Sequence, residues 1–571
     1  MFDYFRKLTV IYKINNPKIY LTIFLFNMIN TFFEVLNIAL LLPLSLLIFK
    51  DSASLQSMFD FLPSTFFHIT KIEQVSLFLG LLLLAYILKI VFFLLGNWYQ
   101  SKHLYSSGNN ICNALIKKYL SVSYLFHLEK TSSFLIRNIY QEVNQLLDNN
   151  IKPLFHLIND LLILAGIFIF LAFVDVTKFF YLLFVSSLFL TFFYLMRSYF
   201  LRYGKKRQYF DETRLVHLQN LLNSIQEIKI YNREKFFSEK FNSENYQNYK
   251  YAGKNLFLST LPRALTEILL VLIIGVFFIF QSFFNINVFF QDIEKIILFS
   301  AAIIRFVPLV SRINVSINSL RFGYATMNLI SNELSRNEYS NLKNKTTSNF
   351  QFTQKIDFKN VSYQYKFTSK KNIDNLSFSI TKGSLVKIVG ESGSGKTTII
   401  NLLLGFLTPT AGNILIDDIN IEDIYSQWIS KIGFVSQKTY LLNDTIKNNI
   451  IFGDSHFDQL KFEQSVELSN LNRILKKKEN YSLDSLIHEN GKNLSGGEIQ
   501  RIGIARAIYN GSDVIIFDEP TSGLDYDNSI VFEKMIYSLR GLKTVIIVSH
   551  EKALFNEAEI VIDLNKLKNK N

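Results

Sequence analysis

Several apolar stretches in the first 320 residues are long enough to cross a bilayer, and they constrain this chain more than any other feature. A membrane's hydrocarbon core is about 30 Å thick, so a spanning α-helix needs about 20 predominantly apolar residues. Six runs suit that length: 19–49, 75–98, 154–174, 179–200, 268–284 and 296–315. Hydrophobic residues make up 49% of the chain, and its 55 Phe are concentrated before residue 320. A soluble fold could not hide so much Phe and Leu surface, so this part is predicted to be helical and embedded in lipid.

Lys and Arg recur just outside the runs, as in Arg6, Lys7, Lys13, Lys18, Arg202, Lys205, Lys206 and Arg207. Cytoplasmic loops carry such an excess. The N-terminus and the two long connections, about 99–152 and 202–261, are therefore placed inside, and 51–73, 175–178 and 285–295 outside. Membrane orientation, with membrane lipid as a partner, accounts for the net charge of +13, and no nucleic acid is expected. Both connections keep helical apolar spacing, for example Leu215, Leu218, Leu222, Ile225 and Ile228, so the helices are predicted to continue beyond the membrane. In the outer segment 52–69, Leu55, Met58, Phe59 and Leu62 share a helical face suited to the outer leaflet or to packing on neighbouring spans. The first apolar run is too long for a cleavable signal peptide. The lone Cys112 excludes an intrachain disulfide and a cysteine metal cluster, which suits a reducing cytoplasm.

The 571 residues exceed one ordinary domain. Residues 1–330 are expected to form the membrane domain, and 331–354, rich in Asn, Ser, Lys and Thr, a linker. In 355–571 β-branched runs alternate with helical patterns. The predicted fold class is multi-domain: an all-α six-helix transmembrane domain followed by an α/β P-loop ATPase domain.

Gly390, Glu391, Ser392, Gly393, Ser394, Gly395, Lys396 and Thr397 match the phosphate-binding pattern G-x-x-x-x-G-K-S/T at every constrained position. Glycines let backbone N–H groups point at phosphates, and the following helix adds its positive N-terminal dipole. Lys396 is expected to neutralise phosphate charge, Thr397 to bind Mg2+ and Thr398 to contact the α phosphate of ATP. The buried-strand run Val514, Ile515, Ile516, Phe517 ends in Asp518 and Glu519. Two carboxylates at a strand's C-terminal edge suit a metal ligand, Asp518, and a group that polarises water, Glu519. The strand-like run 544–548 ends in Ser549 and His550, whose imidazole is expected to reach the γ phosphate.

These motifs, in this order, resemble the ATP-binding cassette family from about residue 355 onward. The resemblance implies that Tyr365 stacks on adenine and that Gln437 links magnesium to the membrane domain. It implies that Ser495, Gly496 and Gly497, in Leu494 to Glu498, face the γ phosphate held by a second cassette, and that 522–525 couple the paired sites. Glu498 stands where the family more often has Gln. One copy of each element requires a partner, and a homodimer with two competent sites is expected. Six spans with two long extensions resemble exporter half-transporters, whose extension tips dock on the cassette. Here 124–137 and 213–220 are the expected tips, and Glu489, Asn490 and Gly491 match the segment that meets them.

Ionisable residues inside spans cost roughly 2.5 to 3.5 kcal/mol each on insertion scales, so they carry a task or a partner. Lys89, Arg263, Arg305 and Arg312 interrupt or flank apolar runs and are candidates for an anionic substrate site. For Lys89 the alternative is a pair with Glu34, and for Arg263 and Arg312 snorkelling to the interface. The strings Leu88-Lys89, Leu261-Pro262-Arg263 and Arg305-Phe306-Val307-Pro308 resemble the bacterial lipid-linked oligosaccharide flippases of protein glycosylation. That resemblance implies ATP-driven movement of an anionic lipid-linked saccharide, or a related phospho-lipid, to the outer leaflet of a bacterial cytoplasmic (inner) membrane. A lipid A, multidrug or peptide exporter is the alternative, and an ATP-gated channel or regulatory subunit a second one. The intact Glu519 argues against a site that hydrolyses little, and the spans argue against a soluble cassette acting on DNA or ribosomes.

Overall fold

A single helix, Lys71–Ser121, runs for 51 residues. At 1.5 Å per residue it is about 75 Å long, more than twice the thickness of a bilayer core. The computed structural model describes residues 2–12, 17–49, 70–174, 176, 197–284, 293–335, 350–365, 371–472, 482–488, 491, 493–521, 526–550 and 555–565. The chain divides into two compact units, 1–122 with 129–338, and 123–128 with 339–571.

The first unit is helical. Its main helices are α1 (Phe2–Tyr12), α2 (Pro17–Ala39), α3 (Lys71–Ser121), α4 (Lys152–Val174), α5 (Arg197–Asn223), α6 (Glu234–Phe284), α7 (Ile293–Phe322) and α8 (Tyr324–Ser335). Among the described residues, three helical stretches are long and apolar enough to cross a membrane: Lys18–Phe49, Lys71–Ser121 and Ser132–Val174. The expected span 179–200 lies almost wholly outside the described residues, as do the outer segment 52–69 and the side chain of Arg263. The expected spans 268–284 and 296–315 are helical, within α6 and α7. α2 packs on α3 and α4, and α7 on α4, around a core that includes Ile38, Leu47, Ile167, Leu298 and Ala302.

The capping box at the start of α3 shows how local sequence sets a boundary. The Thr70 hydroxyl accepts from the Glu73 N–H, and the Glu73 side chain accepts from the Thr70 N–H. Two further boundaries differ from the sequence reading. The residues 213–220 lie inside α5, because the apolar period at Leu215 and Leu218 keeps the helix going. The chain turns later, at Ser224, into the short helix Ile225–Ile230, before α6 begins at Glu234. The connector 331–354 also begins inside a helix: α8 continues to Ser335, with Met327, Ile330, Ser331 and Glu333 buried. At its other end Phe352 is in the core of the second unit.

Helices that extend beyond a membrane need polar groups satisfied where they pack. Thr326 donates to buried Glu142 at 2.6 Å and accepts from Arg207 at 3.2 Å, and Asn248 donates to Asp211 at 2.7 Å. These bonds tie α5, α6, α8 and the π-helical turn Asn138–Glu142 together. Buried charges persist only when paired in this way.

In the second unit an antiparallel sheet has strand order β2-β1-β4-β5: β1 (Lys355–Tyr363), β2 (Ile373–Thr381), β4 (Ala411–Ile416) and β5 (Ile419–Asn420). A parallel sheet has order β6-β7-β8-β3-β9: β3 (Leu385–Val389), β6 (Ile432–Val435), β7 (Val514–Asp518), β8 (Thr544–Ser549) and β9 (Ile560–Asp563). β3 and β8 are buried at every position and β7 at all but its last. A strand covered on both faces reads as a continuous apolar run, and the sequence has that form.

The segment 123–128 belongs to this second unit although it lies far from it in sequence. The ring of Tyr124 is 4.5 Å from that of Phe406, and Leu125 packs on the core formed by β1, β2 and β4 with the helix α9 (Lys396–Leu403). Only the start of the expected tip 124–137 behaves so. Arg137 is buried in the first unit and pairs with Glu212 at 2.7 Å.

Candidate functional site

Parallel strands β6, β7, β8 and β3 lie side by side and in register, so their C-terminal ends meet at one edge. Ligands bind at such edges because backbone groups and helix N-termini converge there. Beyond β3 comes the glycine-rich loop, beyond β6 Gln437, beyond β7 Glu519 and beyond β8 His550.

The loop turns into α9 through Gly395, whose φ of +106° strains any side chain. A Cβ there would also stand 2.6 Å from Ile373 Cδ1. The Lys396 ammonium folds back and donates to the carbonyls of Gly390 at 2.7 Å and Glu391 at 3.2 Å. Ser394 is buried and its Oγ has no hydrogen-bond partner among the described residues. A buried hydroxyl without a partner beside a folded-back ammonium and a helix N-terminus fits a polyphosphate, which would satisfy all three.

Glu519 organises the rest. Gln437 Nε2 donates to its Oε2 at 3.0 Å, His550 Nδ1 stands 3.4 Å from its Oε1, and Lys396 Nζ stands 3.9 Å from that same oxygen. Its φ of +46° is a left-handed conformation rare for a residue with a long side chain, held by a bond from its N–H to Val548 O. Burial first, and then the charge of Glu519, push the Asp518 carboxyl above its usual range, with Lys396 pulling the other way. A carboxylate so placed gains from a nearby cation. The hydroxyl of Thr397 in the first turn of α9, the amide oxygen of Gln437 and the carboxylate of Asp518 are oxygen ligands of the kind a hard divalent ion such as magnesium takes. Tyr365 packs edge-on to Tyr363, ring centroids 5.0 Å apart, against the core formed by β1, β2, β4 and α9.

Ser495 caps α10 (Gly496–Tyr509). Its N–H donates to Glu498 Oε2 at 2.7 Å, and the Glu498 N–H donates to Ser495 Oγ at 3.4 Å. Glu498 is buried by this reciprocal cap, whereas Ser495 and Gly496 are exposed. Glu and Gln serve the cap equally well, which explains how Glu is accommodated there. Gly491 is buried against Ile499 and Leu441, while Glu489, Asn490 and 522–525 lie outside the described residues.

The candidate substrate cations are not bare. Lys89 forms an ion pair with Glu34 of α2, and Arg305 of α7 stands 3.5 Å from the other oxygen of the same carboxylate. Arg305 also donates to the Tyr86 hydroxyl at 2.8 Å. Arg312 makes contacts of 3.1 to 3.3 Å with Asp160 of α4. Lys89 thus takes the partner considered for it, and Arg312 has an acidic partner in place of a purely interfacial position. Lys89, Arg305, Arg312 and Glu34, with Asn30, Asn159 and Asp160, line a cavity of about 470 Å³ within the first unit. Asp160 escaped the sequence reading, although an acid inside the apolar run around Leu157 and Leu161 was a signal for it.

An ABC transporter family model matches residues 373–522, and the family's transmembrane-region model matches residues 20–306. The chain is 37% identical over 218 residues to an ATP-dependent lipid A-core flippase of Pasteurella multocida, a stretch covering 37% of each protein. It is 36% identical over 213 residues to a flippase of the same name from Vibrio vulnificus, 36% of each protein. It is 34% identical over 208 residues to ABC transporter B family member 21 of Arabidopsis thaliana, 36% of this chain and 16% of that one. The matched stretch therefore spans little more than a third of the flippases' length. The whole fold resembles a bacterial Atm1-family ABC exporter with ATP bound, with a TM-score of 0.80 at 17% identity and 97% of each chain covered. Two family models that lie in the expected order, and together cover most of the sequence, make this chain a half-transporter of the ABC transporter family, with a helical transmembrane region preceding one nucleotide-binding domain.

Proposed function

We propose that two copies of this chain form an ATP-driven exporter in a bacterial cytoplasmic membrane, which flips a phosphorylated glycolipid of the lipid A-core class to the outer leaflet. The observation that carries the ATP-driven part is the convergence of Lys396, Gln437 and His550 on Glu519 at one sheet edge.

The loop N–H groups, Lys396 and the Ser394 hydroxyl bind the phosphates, and Thr398 contacts the α phosphate. Thr397, Gln437 and Asp518 hold magnesium, which when bound neutralises phosphate charge. Glu519 orients and polarises water, and Gln437 and His550 fix its two oxygens, so loss of either bond moves the base. Ser495, Gly496 and Gly497 of a second copy complete each site, and Tyr365 faces the adenine. Closure of the pair carries with it Tyr124 and Leu125, whose segment 123–128 follows the helix Lys71–Ser121 directly in the chain, and so reaches the membrane helices.

For the cargo, the mixed lining of the cavity is the guide. Lys89 and Arg305 share Glu34, and Arg312 is held by Asp160, so the cavity offers alternating charge and amides. Asn and Gln amides and carboxylates suit sugar hydroxyls, while Arg305 and Arg312 suit phosphate. The partial similarity to proteins named lipid A-core flippases supports that class of cargo. Purified protein in liposomes tests it: lipid A-core should raise ATP turnover severalfold, and a polyprenyl-pyrophosphate oligosaccharide should do less. The reverse order, or unchanged stimulation in Arg305→Ala, would remove this reading.

A further inference from the structure

Helices α5 and α6 run antiparallel through their extramembrane parts, with Thr213 bonded to Glu244, Arg207 to Asn248 and Lys206 to Tyr251. This register sets Phe200, where the fourth apolar run ends, level with Phe257. Leu256 and Phe257 are both about two-thirds exposed, and Tyr199 is also exposed. On α6 an exposed apolar surface therefore begins at that level, and on α5 the same level is where the fourth apolar run of the sequence ends, which together mark the membrane boundary.

Just outside it lies a cluster of cations and rings. Lys206 donates to the Tyr251 hydroxyl at 3.0 Å and stands over that ring at 5.0 Å. Lys254 stands 5.9 Å from the Tyr203 ring and 6.0 Å from the Tyr251 ring. Phe210 stacks on Tyr251, centroids 5.7 Å apart. By helical rise, Lys254 is about 5 Å and Lys206 about 9 Å from the boundary level, within reach of headgroups. The nearby carboxylates are engaged elsewhere, Asp211 by Arg207 and Arg214, and Glu212 by Arg137. Among the described residues, no carboxylate lies within ion-pair distance of Lys206, Lys250 or Lys254. The local field is felt by Tyr251: the hydrogen bond from Lys206, with the charges of Lys206, Lys250 and Lys254, holds its phenol below the usual range against slight burial.

We infer that Lys206 and Lys254, seated on the rings of Tyr203 and Tyr251, form a binding site for the phosphate of an anionic phospholipid of the cytoplasmic leaflet. Rings fix the two ammonium groups side by side, and the exposed Leu256 and Phe257 meet the acyl chains. This site is separate from the cavity between α2, α3, α4 and α7, and it does not depend on which cargo is carried.

The test uses the full-length protein in detergent, titrated with short-chain phosphatidylglycerol and, in separate arms, phosphatidylcholine and inorganic phosphate. Phosphatidylglycerol is expected to bind, and the other two to bind at least tenfold more weakly. Each lysine near a headgroup contributes about fivefold, so Lys206→Ala with Lys254→Ala should weaken binding about thirtyfold, and Lys206→Arg with Lys254→Arg should restore it. ATP turnover reports folding of the variants; if the Ala pair fails to fold, the Gln pair takes its place. Equal binding of phosphatidylcholine, equal binding of free phosphate, or wild-type binding by the neutral variants would overturn the site. So would absence of phosphatidylglycerol binding, as when a second copy covers this face.

Discussion

The side-chain amide of Gln437 donates a hydrogen bond to the carboxylate of Glu519 at 3.0 Å, across 82 residues of sequence. Their strands, β6 and β7, are neighbours in the parallel sheet, so the bond joins two adjacent strand ends. Glu519→Gln keeps the shape and removes the charge that polarises water. ATP turnover should fall at least about a hundredfold while ATP binding persists, measured by phosphate release beside nucleotide affinity. Persistent turnover would show that another group is the base.

Tyr124 and Phe406 offer a test of transmission. Their ring contact should contribute about 1 kcal/mol beyond buried area. Tyr124→Ala and Phe406→Ala are each expected to lower cargo moved per ATP severalfold with basal hydrolysis kept. A double-mutant cycle should give a coupling near that energy; additive effects would separate the two residues.

Gly204 lies where α5 meets the end of α7. A Cβ there would stand 2.1 Å from the carbonyl oxygen of Phe322, a backbone atom with little room to yield. Gly204→Ala should therefore destabilise the first unit by about 1 to 3 kcal/mol, read as a lower Tm in detergent. An unchanged Tm would mean that the two helices separate at no cost.

Asp417 gives a pH dependence. It accepts from the backbone N–H groups of Thr353, Gln354 and Lys355 at 2.5 to 2.8 Å, and from the Thr353 hydroxyl at 2.9 Å. Burial pushes its carboxyl upward, but these donors together hold it below the usual range. A folded pKa below the unfolded value of about 3.9 gives stability that is complete above that value and lost as pH falls through the folded one. Asp417→Asn should cost about 2 kcal/mol near pH 7 and flatten the fall in Tm below about pH 4. A variant with the same acid profile as the wild type would place the pH sensitivity elsewhere.

The glycine-rich loop, the buried strands and the carboxylate pair were legible because each rests on short-range chemistry. A strand covered on both faces must be apolar throughout, and a loop that cradles phosphate must have small residues at fixed places. The long helical extensions were legible for a similar reason, since Leu215, Leu218 and Leu222 carry their period in the sequence. The turn at Ser224 was not, because Ser is tolerated both inside helices and at their ends.

Sequence alone determined that this chain enters a membrane, that its second part folds as a nucleotide-binding α/β domain, and which residues sit at the ends of its strands. Local period and spacing suffice for those. Only the tertiary structure decided that Glu34 is shared by Lys89 and Arg305, that Asp160 holds Arg312, and that Tyr124 rests on Phe406. The physical reason is that a charge inside a membrane helix must find a partner on another helix, and helix packing, which no single segment encodes, chooses which one.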